Sequence, residues 1–188
     1  VCPALCKILD EILVNARDHS VRDETCNRIR VVFDETNGSI SVENNGEGIA
    51  IEMHAEGCYL PELIFGYFKT GENFSDEEKK TVGGRNGYGA KLACAFSERF
   101  ELDTVDKHTG QRYVQVWERN MSVRHEPIIS KCAKAPYTKV TFIPDYKRLG
   151  GTAGMEQDFL MLARRRVYDL AACTRPDVLI YLDGEKLP

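Results

Sequence analysis

Gly83-Gly84-Arg85-Asn86-Gly87-Tyr88-Gly89-Ala90-Lys91 puts four glycines, an arginine and a lysine into nine residues. Glycine tolerates positive φ and leaves its N–H groups bare, so such a run opening into a helix makes a cradle for phosphate. The Walker A pattern ends in Gly-Lys followed by Ser or Thr, whose hydroxyl holds magnesium. Here Lys91 lies between Ala90 and Leu92, and that hydroxyl is missing. The dinucleotide fingerprint Gly-x-Gly-x-x-Gly fails too, because Gly87-Tyr88-Gly89 runs on to Leu92. Taken by itself the run also suits a plain surface loop. If it holds a nucleotide, the magnesium ligand must come from elsewhere in the chain.

The first helix offers one. Leu5, Ile8, Leu9, Ile12, Leu13 and Ala16 recur at helical spacing and predict a helix from Pro3 to Arg17. Glu11, Asn15 and Asp18 are spaced i, i+4, i+7 on it, within about 60° of one another. A solvated face would carry such a stripe as well. Asn15, however, sits in Leu13-Val14-Asn15-Ala16, and asparagine is a mediocre helix former. Its side-chain oxygen is a hard neutral ligand, suited to a magnesium that keeps waters and phosphate oxygens. A glutamate one turn earlier is placed to orient and deprotonate an attacking water. Helix and glycine run explain each other, and together they are far more specific than either part.

Asn44-Asn45-Gly46-Glu47-Gly48-Ile49 adds a third element. Two glycines let a backbone approach a flat ligand closely, and Asn44 offers a donor and an acceptor to a base edge. The alternative is an ordinary turn ending a strand.

Between these elements the chain reads as a mixture of helices and strands. Arg28 to Asp34 and Ile40 to Glu43 are predicted strands joined by an Asn37-Gly38 hairpin turn, and Asn44 to Gly48 a loop. Pro61 to Phe65 reads as a short helix, and Lys69 to Gly89 as a polar, glycine-rich functional lid. Lys91 to Phe96 resumes a helix. Strands follow at Phe100 to Asp106, Tyr113 to Glu118, Ser122 to His125 and Lys139 to Ile143, while Pro127 to Pro136 has no clear pattern. Met155, Phe159, Leu162, Ala163, Val167, Leu170 and Ala171 mark a second long helix, and Val178 to Leu182 a last strand turned by Asp183-Gly184. Helices around a run of hairpin-connected strands predict an α+β two-layer sandwich, with helices on one face of a mixed sheet.

The 188 residues, 43% hydrophobic, suffice for one substantial core and one domain. A net charge of −4 argues against a broad nucleic-acid grip by this segment, though not against DNA as a partner of a larger protein. Seven cysteines without a Cys-x-x-Cys pair read as free thiols in a reducing compartment. No apolar run approaches the roughly 18 residues of a membrane span, so no membrane partner is expected. The abrupt start and the end at Pro188 suggest a segment of something longer.

Glu11-x-x-x-Asn15 on a helix, Asn44-x-Gly46-x-Gly48, and the glycine run before Lys91 occur in an order that resembles the GHKL superfamily of ATP-binding domains. Lys7 through Ala16, Ile64-Phe65-Gly66, Gly83 through Leu92, Thr141-Phe142 and Gly184 through Pro188 are similar to the ATPase region of the eukaryotic type IIA DNA topoisomerases. The resemblance covers essentially the whole chain and implies a Bergerat fold binding ATP and Mg2+. It implies Glu11 as general base and Asn15 as the magnesium ligand, with Asp18 and His19 following on the same helix. Asn44 would meet adenine, with Ile49, Ile64, Phe65 and Thr141 lining the base pocket. Gly84, Arg85, Asn86, Gly87, Tyr88, Gly89, Ala90 and Lys91 would wrap the phosphates. Asn73 falls at the ribose, preceded by Gly71-Glu72 where the family commonly has two serines, and His19 stands where an asparagine is usual. A carboxylate near phosphates is repelled, so Glu72 is expected to turn outward or toward the ribose hydroxyls.

The resemblance further implies an exchanged N-terminal arm before residue 1 and a transducer domain, with a lysine for the γ-phosphate, after Pro188. The full-length enzyme would be a homodimer passing one DNA duplex through another, in the nucleus or alternatively the mitochondrion. The fragment is expected to bind Mg-ATP and hydrolyse it very slowly, if at all. A GHKL chaperone, a mismatch-repair clamp and a nucleotide switch without catalysis are the alternatives.

Overall fold

The computed structural model describes residues 2–67 and 88–188. Helix α1 (Pro3–Arg22) opens with proline at its first position, where a missing N–H costs nothing. Its Leu5, Ile8, Leu9, Ile12, Leu13 and Ala16 are all buried, as their spacing predicts. The helix runs past Arg17 by more than a turn. There the Ser20 hydroxyl donates to the Arg17 carbonyl (2.6 Å), and His19 and Arg22 place basic side chains at the negative end of the helix dipole.

Strands β1 (Arg28–Asp34) and β2 (Ser39–Asn45) form the expected hairpin, turned at Gly38 with φ +72°. β2 reaches Asn45, so Asn44 and Asn45 end the strand and the loop begins at Gly46. A short helix α2 (Leu60–Phe65) follows, then α3 (Gly89–Ala95), β3 (Ser97–Val105), β4 (Gln111–Glu118), β5 (Val123–Arg124), β6 (Ile128–Lys131) and β7 (Tyr137–Pro144). Next come α4 (Tyr146–Gly150), α5 (Gln157–Ala172), β8 (Leu179–Leu182) and β9 (Glu185–Lys186). The lid expected over Lys69 to Gly89 lies almost wholly outside the described residues.

Three short elements escape the sequence reading: β6, α4 and β9. β6 is an edge strand with no buried side chain, so it lacks hydrophobic alternation. Helix α4 is set by its ends instead, with the Asp145 carboxylate accepting from the Arg148 N–H (3.0 Å) and Gly151 closing it at φ +72°.

All strands join one sheet in the order β5-β4-β3-β7-β2-β1-β8-β9, with β6 also on β4. Its pairs are antiparallel except β1 with β8, whose parallel pairing follows a crossover through α5. The mixed sheet buries one face under the helices. Ile29, Val31 and Phe33, Ile40 and Val42, Phe100 and Leu102, and Val140 and Phe142 alternate onto that face. Phe100 sits at its centre, with the rings of Phe65, Trp117 and Phe142 at 5.9, 6.0 and 6.2 Å. Each such fully buried side chain contributes about 1.5–3 kcal/mol. Among the described residues no helix is long and apolar enough to cross a membrane.

A candidate nucleotide site between the first helix and the sheet

Alternation along β2 puts Ile40, Val42 and Asn44 on the helix-covered face, and Asn44 is only 5% exposed there. A polar side chain at the end of an apolar row needs partners. Register supplies them: Asn44 lies opposite Thr138 on β7, and Thr138 opposite Thr104 on β3. All three are buried, and the two hydroxyls are 3.2 Å apart. The Thr104 hydroxyl also donates to the Tyr137 carbonyl (2.8 Å) and accepts from the Ile49 N–H (3.1 Å), drawing the loop after β2 onto the sheet. Gly48, at φ +74°, lies so close to the Val105 carbonyl that a Cβ there would collide with it.

This register corrects one assignment. Thr141 faces the opposite side of the sheet from Asn44, beside Ser41, whose hydroxyl accepts from it at 3.3 Å. Thr138 occupies the place beside Asn44 that was expected of Thr141. Two threonines three residues apart on a strand face opposite ways, so only one can share the surface of Asn44. The signal was present in the alternation of Thr138 with Val140 and Phe142.

Asp23, just past α1, ties the same loop from the other side. Its carboxylate accepts from the Glu47 N–H (2.7 Å), the Thr25 N–H (2.9 Å) and the Thr25 hydroxyl (2.6 Å), and lies 3.1 Å from His19 Nε2. Burial works against its charge, but the hydrogen bonds from Thr25, Glu47 and His19 outweigh it and hold the group at about 2. His19 is therefore engaged with Asp23, and both press on Gly46, whose φ is +119°.

Glu11, Asn15 and Asp18 form the stripe on α1. Glu11 and Asn15 are half-buried and Asp18 is buried, 3.3 Å from Arg17 Nη1. Glu11 pairs with Lys7 one turn earlier. It also lies against Gly89, where any Cβ would run into the carboxylate. The end of the glycine run is thus brought onto the middle of α1, and any side chain at position 89 would have to displace the Glu11 carboxylate. Two positions on, Lys91 is 9% exposed on α3, its Nζ 6.0 Å from the centre of the Tyr88 ring. Burial pulls the Lys91 ammonium below the usual lysine range. Its neighbour in charge is the Cys58 thiol, and no carboxylate among the described residues pairs with it. Tyr88 is partly exposed and Ala90 buried.

On α2, Ile64 is turned outward and Phe65 packs into the core against Phe100, while Ile49 packs on the core edge. Gly71, Glu72, Asn73, Gly84, Arg85, Asn86 and Gly87 lie outside the described residues. Among the described residues no group of three or more His, Cys, Asp or Glu is placed to hold a metal. Asn15 is the hard neutral donor of the stripe, and an ion there would complete its shell from phosphate and water.

Residues 2–147 match the model of the family described as histidine kinase-, DNA gyrase B-, and HSP90-like ATPase. DNA topoisomerase 2 of Saccharomyces cerevisiae is 50% identical over 189 residues, which cover 100% of this chain and 13% of that protein. The mitochondrial DNA topoisomerase 2 of Dictyostelium discoideum is 44% identical over 188 residues, 98% of this chain and 15% of that protein. The crystal structure of the ATPase region of S. cerevisiae topoisomerase II superposes with a TM-score of 0.93 at 50% identity, covering 100% of this chain and 50% of that one. The chain therefore spans a small part of the curated relatives and half of the solved ATPase region. At that similarity the mixed sheet and its helices are the Bergerat sandwich expected from the sequence. By a family match over most of its length and a shared fold over all of it, the chain belongs to the histidine kinase-, DNA gyrase B- and HSP90-like ATPases.

Proposed function

We propose that this chain is the Mg-ATP-binding domain of a type IIA DNA topoisomerase, with adenine at the Asn44–Thr138 end and the phosphates between α1 and α3. The observation that carries this reading is Lys91, a buried ammonium without a carboxylate partner among the described residues, next to a glycine-tight approach to Glu11. A buried cation is costly unless an anion meets it, and a triphosphate is the anion this loop chemistry suits. Asn15 would hold magnesium, which when bound would neutralise charge building on the phosphate oxygens. Glu11 is the general base: its carboxylate accepts the proton of the attacking water and orients it toward the γ-phosphorus. The pairing with Lys7 one turn earlier turns that carboxylate along the helix.

ATP binding would close two such domains in a homodimer and drive one DNA duplex through another, in the nucleus or alternatively in the mitochondrion. We place an exchanged N-terminal arm and a transducer domain in the complete protein, so the isolated chain binds Mg-ATP with little turnover. The deciding comparison is Glu11→Ala in the full-length protein: nucleotide binding stays within about threefold while turnover falls by at least about a hundredfold. Lost binding, or turnover that survives, would remove Glu11 from the role of base.

A further inference from the structure

Asn44 and Asn45 end β2 with their side chains on opposite faces, and they do different work. The Asn45 Oδ1 accepts from the N–H groups of Asn27 (3.0 Å) and Arg28 (2.8 Å), and its Nδ2 donates to the Asn27 Oδ1 (2.9 Å). That clamp fixes the connection between α1 and β1 against the end of β2. Cys26 is thereby buried completely beneath Asn44, and a Cβ at Gly46 would come within 3.1 Å of its own Cβ.

The Asn44 Nδ2 donates to the Asn45 carbonyl at 2.9 Å and reaches the Cys26 Sγ at 3.8 Å. Both amide hydrogens are engaged. Oδ1 has no partner among the described residues. Rotating the amide by half a turn would set Oδ1 against the Asn45 carbonyl, oxygen facing oxygen, and would leave Nδ2 in the site. An unrestrained asparagine could serve either way, giving its acceptor to one base and its donor to another. Here the surroundings favour one orientation.

We propose that Cys26 is a positioning residue that, with the Asn45 carbonyl, locks the Asn44 amide so that it presents only an acceptor, making the site select a 6-amino purine over a 6-oxo purine. The inference rests on the reading that this site holds a purine nucleotide. A 6-amino group donates to Oδ1, whereas a 6-oxo group meets it as a second acceptor and is rejected unless the amide turns. Burial pushes the Cys26 thiol up to about 11, so it stays neutral near pH 7 and offers the amide no competing charge.

The test is calorimetric binding of Mg-ATP and Mg-ITP to the purified chain and to Cys26→Ala, Cys26→Val and Cys26→Ser, each checked by thermal melting. The wild-type chain prefers ATP. Alanine and valine narrow the ATP-to-ITP ratio by about fivefold, the worth of one weak hydrogen bond, while serine, which keeps an acceptor at that place, preserves the ratio. An unchanged ratio in both alanine and valine variants overturns the proposal. So does a narrowing in serine equal to that in alanine, or equal weakening of both nucleotides, which marks Cys26 as packing alone. Equal wild-type affinity for ATP and ITP sinks the lock but leaves nucleotide binding standing. Failure to bind either nucleotide removes the site reading itself, and the lock with it.

Discussion

Asn44 and Lys91 stand at the two ends of the proposed site, and the folded chain treats them differently. Asn44 is held by a carbonyl and a thiol, with Thr138 and Thr104 beside it in strand register. Lys91 is nearly as buried, yet its ammonium faces no carboxylate among the described residues. The base end is built like a core in which the Asn44 amide nitrogen and the neighbouring hydroxyls are paired, leaving Oδ1 of Asn44 without a partner among the described residues. At the proposed phosphate end the described residues leave that charge without a carboxylate, an arrangement that costs stability without nucleotide and returns it as affinity when an anion arrives. Rigid recognition at one end and stored electrostatic attraction at the other suit an ATPase whose domain responds to the nucleotide.

The largest effect that would break this contrast is expected at Lys91. Lys91→Ala should weaken Mg-ATP by roughly tenfold to a hundredfold, the worth of a charge-assisted hydrogen bond. The melting temperature of the nucleotide-free chain should hold or rise, because the substitution removes a buried cation that has no carboxylate partner among the described residues. Calorimetry and thermal melts on the same samples check both, and a melt lowered by many degrees would mean the lysine is a structural partner already satisfied.

Next comes Asp23, which anchors the loop of the base end. Its folded value of about 2 lies below the ordinary 3.8, so its contribution is fully present above pH 3.8 and lost as pH falls toward 2. Denaturation of wild type against Asp23→Asn should therefore differ by about 1–2 kcal/mol at pH 6 and converge near pH 2. Curves that stay parallel through that window would show that the charge is not what binds the loop.

The smallest effect sharpens the assignment within the sheet. Thr138→Val should cost about 1 kcal/mol of stability and a few-fold in ATP affinity, because it breaks the hydroxyl row beside Asn44. Thr141→Val, on the far face, should leave affinity unchanged and stability within about 0.5 kcal/mol. Equal affinities for the two variants would mean that the row beside Asn44 does not touch the ligand.

The helix stripe of Glu11, Asn15 and Asp18, the strand alternation and the glycine run were legible because each depends on local period or on the steric freedom of glycine. Most of the fold followed from them. Short elements such as β6 and α4 were not, since neither shows a clear hydrophobic period: β6 only partly buries Ile129, and α4 is fixed by its caps. Thr141 shows where the sequence reading of the site ran out. A period of two says that Thr138 and Thr141 face opposite ways, but which of them shares a surface with Asn44 depends on how β2 and β7 pair.

The class of fold, the acid and amide on the first helix, and the glycine run before Lys91 were readable from the sequence alone, because these are properties of neighbours along the chain. Only the tertiary structure decided that Thr138 stands beside Asn44, that Cys26 lies beneath it, that Glu11 meets Gly89, and that Lys91 is buried without a carboxylate partner among the described residues. Those facts join residues distant in sequence, and strand register and burial, which no local pattern encodes, set the partners each side chain finds.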